Sequence, residues 1–264
     1  MIGAIIGDVV GSRFEFDNIK TKEFNLFDTE CTFTDDSVMT LAVAKALSKY
    51  DAIEDIEDFK KHLVKVMHKL GRRYPDCGYG GRFYEWMMEY IEGPYNSYGN
   101  GSAMRVSPVA WYAKTLEECE KLAAATAEVT HNHPEGIKGA VSVAGAIFLA
   151  REGKSMNEIK AYTEKFYKID FTLDEIRADY DFYEICQKSV PQALEAFFES
   201  KNFEDAIRNA ISIGGDSDTI AAITGSIADA YYGVSEDLKE TALSYLDNRL
   251  LDIAEEFMSK YYVR

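Results

Sequence analysis

Long apolar runs are missing from this chain of 264 residues. The longest candidate, residues 140–150, is interrupted by Ser142 and falls short of the roughly 18 residues that a membrane-crossing helix needs. The stretch reads as a core helix, and no membrane partner is expected. Cysteine is sparse and scattered. Cys31, Cys77, Cys119 and Cys186 form no CxxC pair, which argues against a zinc site and against a disulfide framework, and suits reduced thiols in a cytoplasmic protein. Basic residues are outnumbered, 29 Lys and Arg against 45 Asp and Glu, for a net charge of −16. Nucleic acid is therefore disfavoured as the main partner, since phosphate backbones are held by clustered Lys and Arg. A basic groove inside an acidic surface is the one exception that composition does not reveal. The amino-terminal Met1-Ile2-Gly3-Ala4-Ile5-Ile6-Gly7-Asp8 lacks the basic region of a signal peptide and meets Asp8 too soon, so no leader is expected. No Pro-, Gly- and Ser-rich stretch and no run of like charge marks a linker. With 47% hydrophobic residues for one core, a single domain over residues 1–264 is expected.

What is present is helical periodicity. Ile56, Phe59, Leu63, Val66, Met67 and Leu70 recur at three-and-four spacing with Lys60, Lys61, Lys65 and Lys69 between them, which predicts a surface helix carrying His62 and His68. Phe203, Ala206, Ile207, Ala210 and Ile211 repeat the pattern. So do Leu238, Ala242, Leu246, Leu250, Ile253 and Phe257, which read as one last helix. Segments 137–150 and 220–230 are apolar nearly all round and predict central helices. Strand alternation is weak, with only residues 22–33 offering an extended loop. The fold class is all-α, with about ten to twelve helices at typical lengths. Gly3, Gly7 and Gly11 would line up a helix face without side chains, where a neighbouring backbone packs closely. Their spacing does not match the GxGxxG of a dinucleotide-binding turn.

Two acidic clusters sit far apart, Thr34-Asp35-Asp36-Ser37 and Gly214-Gly215-Asp216-Ser217-Asp218-Thr219, each running into an apolar helical pattern. Consecutive aspartates repel, and a hard divalent cation such as Mg²⁺ or Mn²⁺ offsets that with carboxylate and hydroxyl oxygens. The competing reading makes Thr34 and Asp216 helix N-caps with acidic first turns. An EF-hand is excluded, because Ile220 and Ala221 fall where a ligand and a glycine are required. Between the clusters lie two glycine-rich loops, residues 77–82 and 96–102, each ahead of a helical segment. They are either plain turns or phosphate cradles built from free backbone N–H groups. His131 and His133 flank a helix start marked by Pro134, and Glu15 stands between Phe14 and Phe16.

The pairing of Thr34-Asp35-Asp36-Ser37 with Gly214-Gly215-Asp216-Ser217-Asp218-Thr219, on either side of Gly99-Asn100-Gly101-Ser102-Ala103-Met104-Arg105, resembles the ADP-ribosylglycohydrolases, relatives of the dinitrogenase-reductase-activating glycohydrolase. The resemblance runs from Gly3 to about Tyr232. It implies a compact all-helical enzyme with two divalent metal ions, Mg²⁺ or Mn²⁺, held by Thr34, Asp35, Asp36, Asp216, Asp218 and Thr219. The reaction implied is cleavage of the glycosidic bond between the distal ribose of ADP-ribose and an acceptor, foremost an ADP-ribosylated protein side chain. A small ADP-ribose conjugate, or a catalytically silent module of the same fold, is the alternative. The segment of Ser97, Tyr98, Gly99 and Asn100, with Gly80 and Gly101, is expected to take the diphosphate, and valine at Gly99 or Gly101 to obstruct it. His131 is expected near the adenosine end. Glu15 is the expected proton-transfer group, with Asp35 and Asp36 beside it in the catalytic set, while His133 is left as structural.

Overall fold

The computed structural model describes residues 1–262. Among them the chain forms fifteen α-helices, one short 3-10 turn at Ser12–Phe14 and no strand, only a single bridge between Gly99 and Ile185. The first eight helices are α1 (Ile2–Gly11), α2 (Asp35–Ser48), α3 (Ile56–Gly71), α4 (Gly81–Met88), α5 (Gly101–Met104), α6 (Ser107–Tyr112), α7 (Leu116–Glu128) and α8 (Pro134–Arg151). The rest are α9 (Met156–Thr163), α10 (Leu173–Ile176), α11 (Cys186–Phe198), α12 (Phe203–Ser212), α13 (Ser217–Tyr232), α14 (Glu236–Leu243) and α15 (Asn248–Tyr261). The number exceeds ten to twelve because α5 and α10, at four residues each, are too short to show a hydrophobic period, and because the expected last helix is two, α14 and α15.

Local chemistry sets many of the starts. Asp55, Thr115, Ser155, Asn202 and Ser235 each accept a first-turn N–H, a cap contributing about 1 kcal/mol. The centre is α13, buried from Ser217 to Ala230 as its apolar sequence predicts, with α8 and α1 against it. The glycine stripe explains how closely α1 approaches. A methyl group built on Gly3 would stand 2.0 Å from the Gly225 carbonyl oxygen, and one on Gly7 2.1 Å from that of Ala221. This backbone-to-backbone crossing brings Asp8 on α1 beside the amino-terminal end of α13, where the second acidic cluster lies.

Overpacking a core costs roughly 1–3 kcal/mol where side chains can yield. At Gly7 the obstacle is backbone, so Gly7→Val is expected to destabilise by at least about 3 kcal/mol. Urea unfolding measures this, and an unchanged midpoint would contradict the close crossing.

Two sequence expectations need correction. Leu238 to Phe257 do not form one helix: the chain turns between α14 and α15, and Asp247 caps α15 by accepting from the N–H groups of Arg249 and Leu250. Both halves keep the apolar face inward, so periodicity alone hides the break. His68 is on α3 but is not at the surface. Its ring packs 4.2 Å from that of Trp86 on α4, a partner that the amphipathic pattern of α3 does not disclose.

Candidate active site

The acidic ends of α2 and α13 are joined by side chains from other elements. Asp8 is fully buried, and its carboxylate accepts the backbone N–H groups of Thr34 and Ser37, both at 3.0 Å, and the Thr34 hydroxyl at 2.6 Å. Helix α1 thus supplies a second cap to α2. Thr34 is itself the N-cap, accepting from the Asp36 N–H at 3.3 Å, and its hydroxyl oxygen lies 3.4 Å from Asp218 Oδ2. Asp216 also occupies a cap position, but its side chain makes no cap bond. It accepts instead from Asn100 Nδ2 at 2.6 Å, and Asn100 also donates to Ser189 Oγ. The cap reading therefore holds for Thr34 and fails for Asp216. Thr219 links the two helices by donating to Asp36 Oδ2 at 3.0 Å.

These groups form one wall of a cavity of about 250 Å³, which Glu15, Asp35, Asp36, Asp216, Asp218 and Thr219 all line. Thr34 and Asp8 lie behind them. Glu15, Asp216 and Asp218 offer carboxylate oxygens that fall within 4.8 Å of one another. Among the described residues no ion pair joins any of these carboxylates to a Lys or Arg. Burial first, then mutual repulsion, raises Asp35, Asp36 and Asp218 well above the ordinary carboxylate range. Burial and the charges of Asp218, Asp8 and Glu184 push half-buried Glu15 up to about 8. Asp36 Oδ1 is buried with no hydrogen-bond partner. An orphaned carboxylate oxygen beside converging hard-oxygen donors fits a divalent cation of the Mg²⁺ or Mn²⁺ type.

A dependence of stability on pH follows. A carboxyl group whose folded pKa is raised binds more protons in the folded than in the unfolded state, so stability falls as pH climbs from the ordinary value toward the raised one. For the metal-free protein the melting temperature is expected to drop between pH 5 and pH 8, the window that Glu15 defines. Added metal is expected to raise it more at pH 8 than at pH 5, because the ligands must be ionised to bind. A flat profile with and without metal would contradict this charge arrangement.

The rest of the lining comes largely from the two glycine-rich loops, which abut the acidic groups: the Asp35 N–H donates to the Cys77 carbonyl at 2.7 Å, and Asn100 reaches Asp216. Gly80 is the N-cap of α4 and makes no side-chain cap bond, and a methyl group on Gly80 or Gly81 would meet nothing within 4 Å. These positions are open to a ligand. Gly99 and Gly101 line the cavity too, yet a methyl on Gly99 would meet Ser97 Oγ at 3.2 Å, the Glu184 carbonyl oxygen at 3.3 Å and His131 Nε2 at 3.4 Å. Valine there would strain the protein before it met a ligand, which corrects the expectation that it acts only on the diphosphate. Ser97 and Asn100 line the cavity, whereas Tyr98 does not: its ring is 45% exposed and packs against His133. His133 caps α8 by accepting from the Glu135 N–H.

His131 lines the cavity and its ring is held by a relay. Arg105, buried and always a donor, gives one N–H to the Thr130 hydroxyl oxygen at 2.8 Å, and that hydroxyl contacts His131 Nδ1 at 2.7 Å. The other ring nitrogen, Nε2, is the atom beside Gly99 and Gly101. Burial, then the charges of Arg105 and Arg82, hold this imidazole well below the usual histidine range, so it is neutral.

Sequence reasoning missed Asp8, the Arg105–Thr130 relay and Glu184, whose carbonyl accepts from the Asn100 N–H at 2.9 Å. A signal existed only for Asp8, a lone carboxylate in a helix that is otherwise apolar or glycine.

The all-helical fold thus brings hard-oxygen groups and an uncapped helix start to one cleft. A family model described as ADP-ribosylglycohydrolase matches residues 1–264. The chain is 25% identical over 316 residues to ADP-ribosylhydrolase ARH3 of Homo sapiens, covering 89% of this chain and 85% of that protein. It is 28% identical over 266 residues to ADP-ribosylarginine hydrolase Tri1 of Pseudomonas putida, covering 89% and 70%. To ADP-ribosyl-[dinitrogen reductase] glycohydrolase of Rhodospirillum rubrum it is 29% identical over 232 residues, covering 82% and 74%. A solved structure titled ADP-ribosylglycohydrolase-related protein complex superposes with a TM-score of 0.69 at 22% identity, over 98% of this chain and 96% of that one. The chain belongs to the ADP-ribosylglycohydrolase family, and it is a hydrolase of that family.

Proposed function

We propose that this chain releases ADP-ribose from ADP-ribosylated protein side chains by hydrolysing the glycosidic bond at the distal ribose. The observation that carries the proposal is one cavity lined both by three carboxylates converging within 4.8 Å and by helix-start residues Gly80 and Gly81, where no side chain caps the amides. ADP-ribose has matching ends. Its distal ribose would lie over Glu15, Asp216 and Asp218, its diphosphate along residues 80–82 and 97–101, and its adenosine toward His131.

Two divalent ions, Mg²⁺ or Mn²⁺, would be held by Thr34, Asp35, Asp36, Asp216, Asp218 and Thr219. Bound there, they would offset the clustered charge and supply Lewis acidity toward hydroxyl groups. Asn100 and Thr219 fix the orientation of Asp216 and Asp36. Glu15 moves the proton at the scissile linkage, its raised pKa suiting a group that must change protonation near neutrality. Asp35 and Asp36 line the same wall and favour positive charge developing at the anomeric carbon.

The proposal extends to a cytoplasmic protein acting as one domain over residues 1–264, the last two of which lie outside the described residues. Among the described residues no helix is long and apolar enough to cross a membrane. The Tri1 and dinitrogen reductase relatives, named for protein or arginine acceptors, favour a protein acceptor over a small conjugate. A hydrolysis panel of arginine-linked, serine-linked and nucleic-acid-linked ADP-ribose tests it: turnover of a protein-linked substrate is expected, and turnover confined to the nucleic-acid linkage would refute it.

Gly80 gives a selective handle on the diphosphate wall. Its φ of −55° suits any residue and its surroundings are empty, so Gly80→Leu is expected to leave melting temperature and metal content unchanged. Filling the cleft beside free amides should weaken ADP-ribose binding at least about tenfold by calorimetry. Unchanged affinity would move the diphosphate elsewhere.

A further inference from the structure

A second cavity, of about 780 Å³, opens along α3 and shares no lining residue with the active site. Its lining is more basic than acidic, with Lys60, Lys61, Lys65, Lys69 and Arg72 against Glu57, Glu92 and Glu128. Lys61, Lys65, Lys69 and Arg72 line it, and none of them enters an ion pair among the described residues, whereas Lys60 beside them is paired with Glu57 and Glu128. The three unpaired lysines recur every fourth residue, which sets them in a row about 12 Å long on one face of the helix. At the end of the row Arg72 lines the groove, its Nε and Nη2 atoms shielded from solvent and its charge facing Tyr90. A guanidinium charge at the end of a row of ammonium groups favours a phosphate there.

The Arg72 guanidinium stacks on the ring of Tyr90. Tyr90 is held at φ 58°, a left-handed conformation that a tyrosine rarely adopts, and is 68% exposed. An aromatic ring kept open over a cation, at the end of a row of ammonium groups, presents a stacking surface and a phosphate track in one groove.

We propose that this groove is a separate binding site for a nucleoside polyphosphate, with the base on Tyr90 and the phosphates on Arg72, Lys69 and Lys65. The site is distinct from the cleft that takes ADP-ribose. Calorimetry with ATP as the probe, in the presence of saturating ADP-ribose, tests it. One ATP is expected per chain. Arg72→Gln and Lys65→Glu should each weaken it at least about tenfold, and Tyr90→Ala at least about fivefold, with hydrolysis in the cleft unaffected. Lys65 is exposed, so its variant keeps the test valid if Arg72→Gln fails to fold. Inorganic tripolyphosphate should bind more weakly than ATP and ignore Tyr90→Ala. Absence of ATP binding, tripolyphosphate binding as tight as ATP, or a single-stranded oligonucleotide binding more tightly than ATP would each overturn the proposal.

Discussion

Chelation of divalent ions is expected to abolish hydrolysis of an ADP-ribosylated protein, and return of Mg²⁺ or Mn²⁺ to restore it. The physical reason is the charge on one wall. Glu15, Asp35, Asp36, Asp216 and Asp218 line the same small cavity without a Lys or Arg ion pair among the described residues, and one Asp36 oxygen is buried without a partner. Six hard-oxygen donors also exceed what one small octahedral cation normally takes from protein, so metal analysis of the reloaded enzyme should find two ions per chain. Asp218→Asn should lower activity and metal affinity together by at least about 100-fold, more than the loss usual for outer groups that only orient ligands. The helical fold should survive, because Asp218 makes no bond on which an element depends beyond its contact with the neighbouring Thr219 N–H and the Thr34 hydroxyl. Full activity with one ion or none would remove the metal pair from the account.

Glu15→Gln should give the second large effect. The substitution keeps the size of a side chain that is pushed up to about 8 by its surroundings, and removes only its ability to ionise. A general acid or base contributes on the order of 10² to 10⁴ in rate. The variant should bind ADP-ribose nearly as before and hydrolyse at least about 100-fold more slowly, with the loss in kcat rather than in KM. Because Glu15 lies within reach of Asp216 and Asp218, metal affinity must be measured alongside. Retained metal with lost turnover identifies proton transfer. Metal lost in step with turnover would make Glu15 a ligand and contradict the role assigned here.

Much of this site was legible in the chain because its chemistry is local. Two aspartates and a hydroxyl within four residues announce a charged helix start, and the structure brings the starts of α2 and α13 together. The glycine stripe of α1 likewise reads as close packing, since only a bare face of four-residue period permits it. What stayed hidden depends on the third dimension. Asp8 looks like a stray polar residue until α2 is placed against it, and the donors to Thr130 and Asp216 come from residues 25 and 116 positions away. His68 was misplaced for the same reason, its cover being Trp86 on another helix. The break before α15 was hidden by a hydrophobic period that continues through the turn.

The central claim is that the bond cut is the glycosidic one at the distal ribose, over the acidic wall. The measurement that tests it most directly is mass analysis of both products after incubation with an ADP-ribosylated protein and Mg²⁺ or Mn²⁺. Intact ADP-ribose and an unmodified side chain, both absent with Asp36→Asn, are the predicted result. A phosphoribosyl group left on the protein with release of AMP, or binding of ADP-ribose with no release at all, would contradict it.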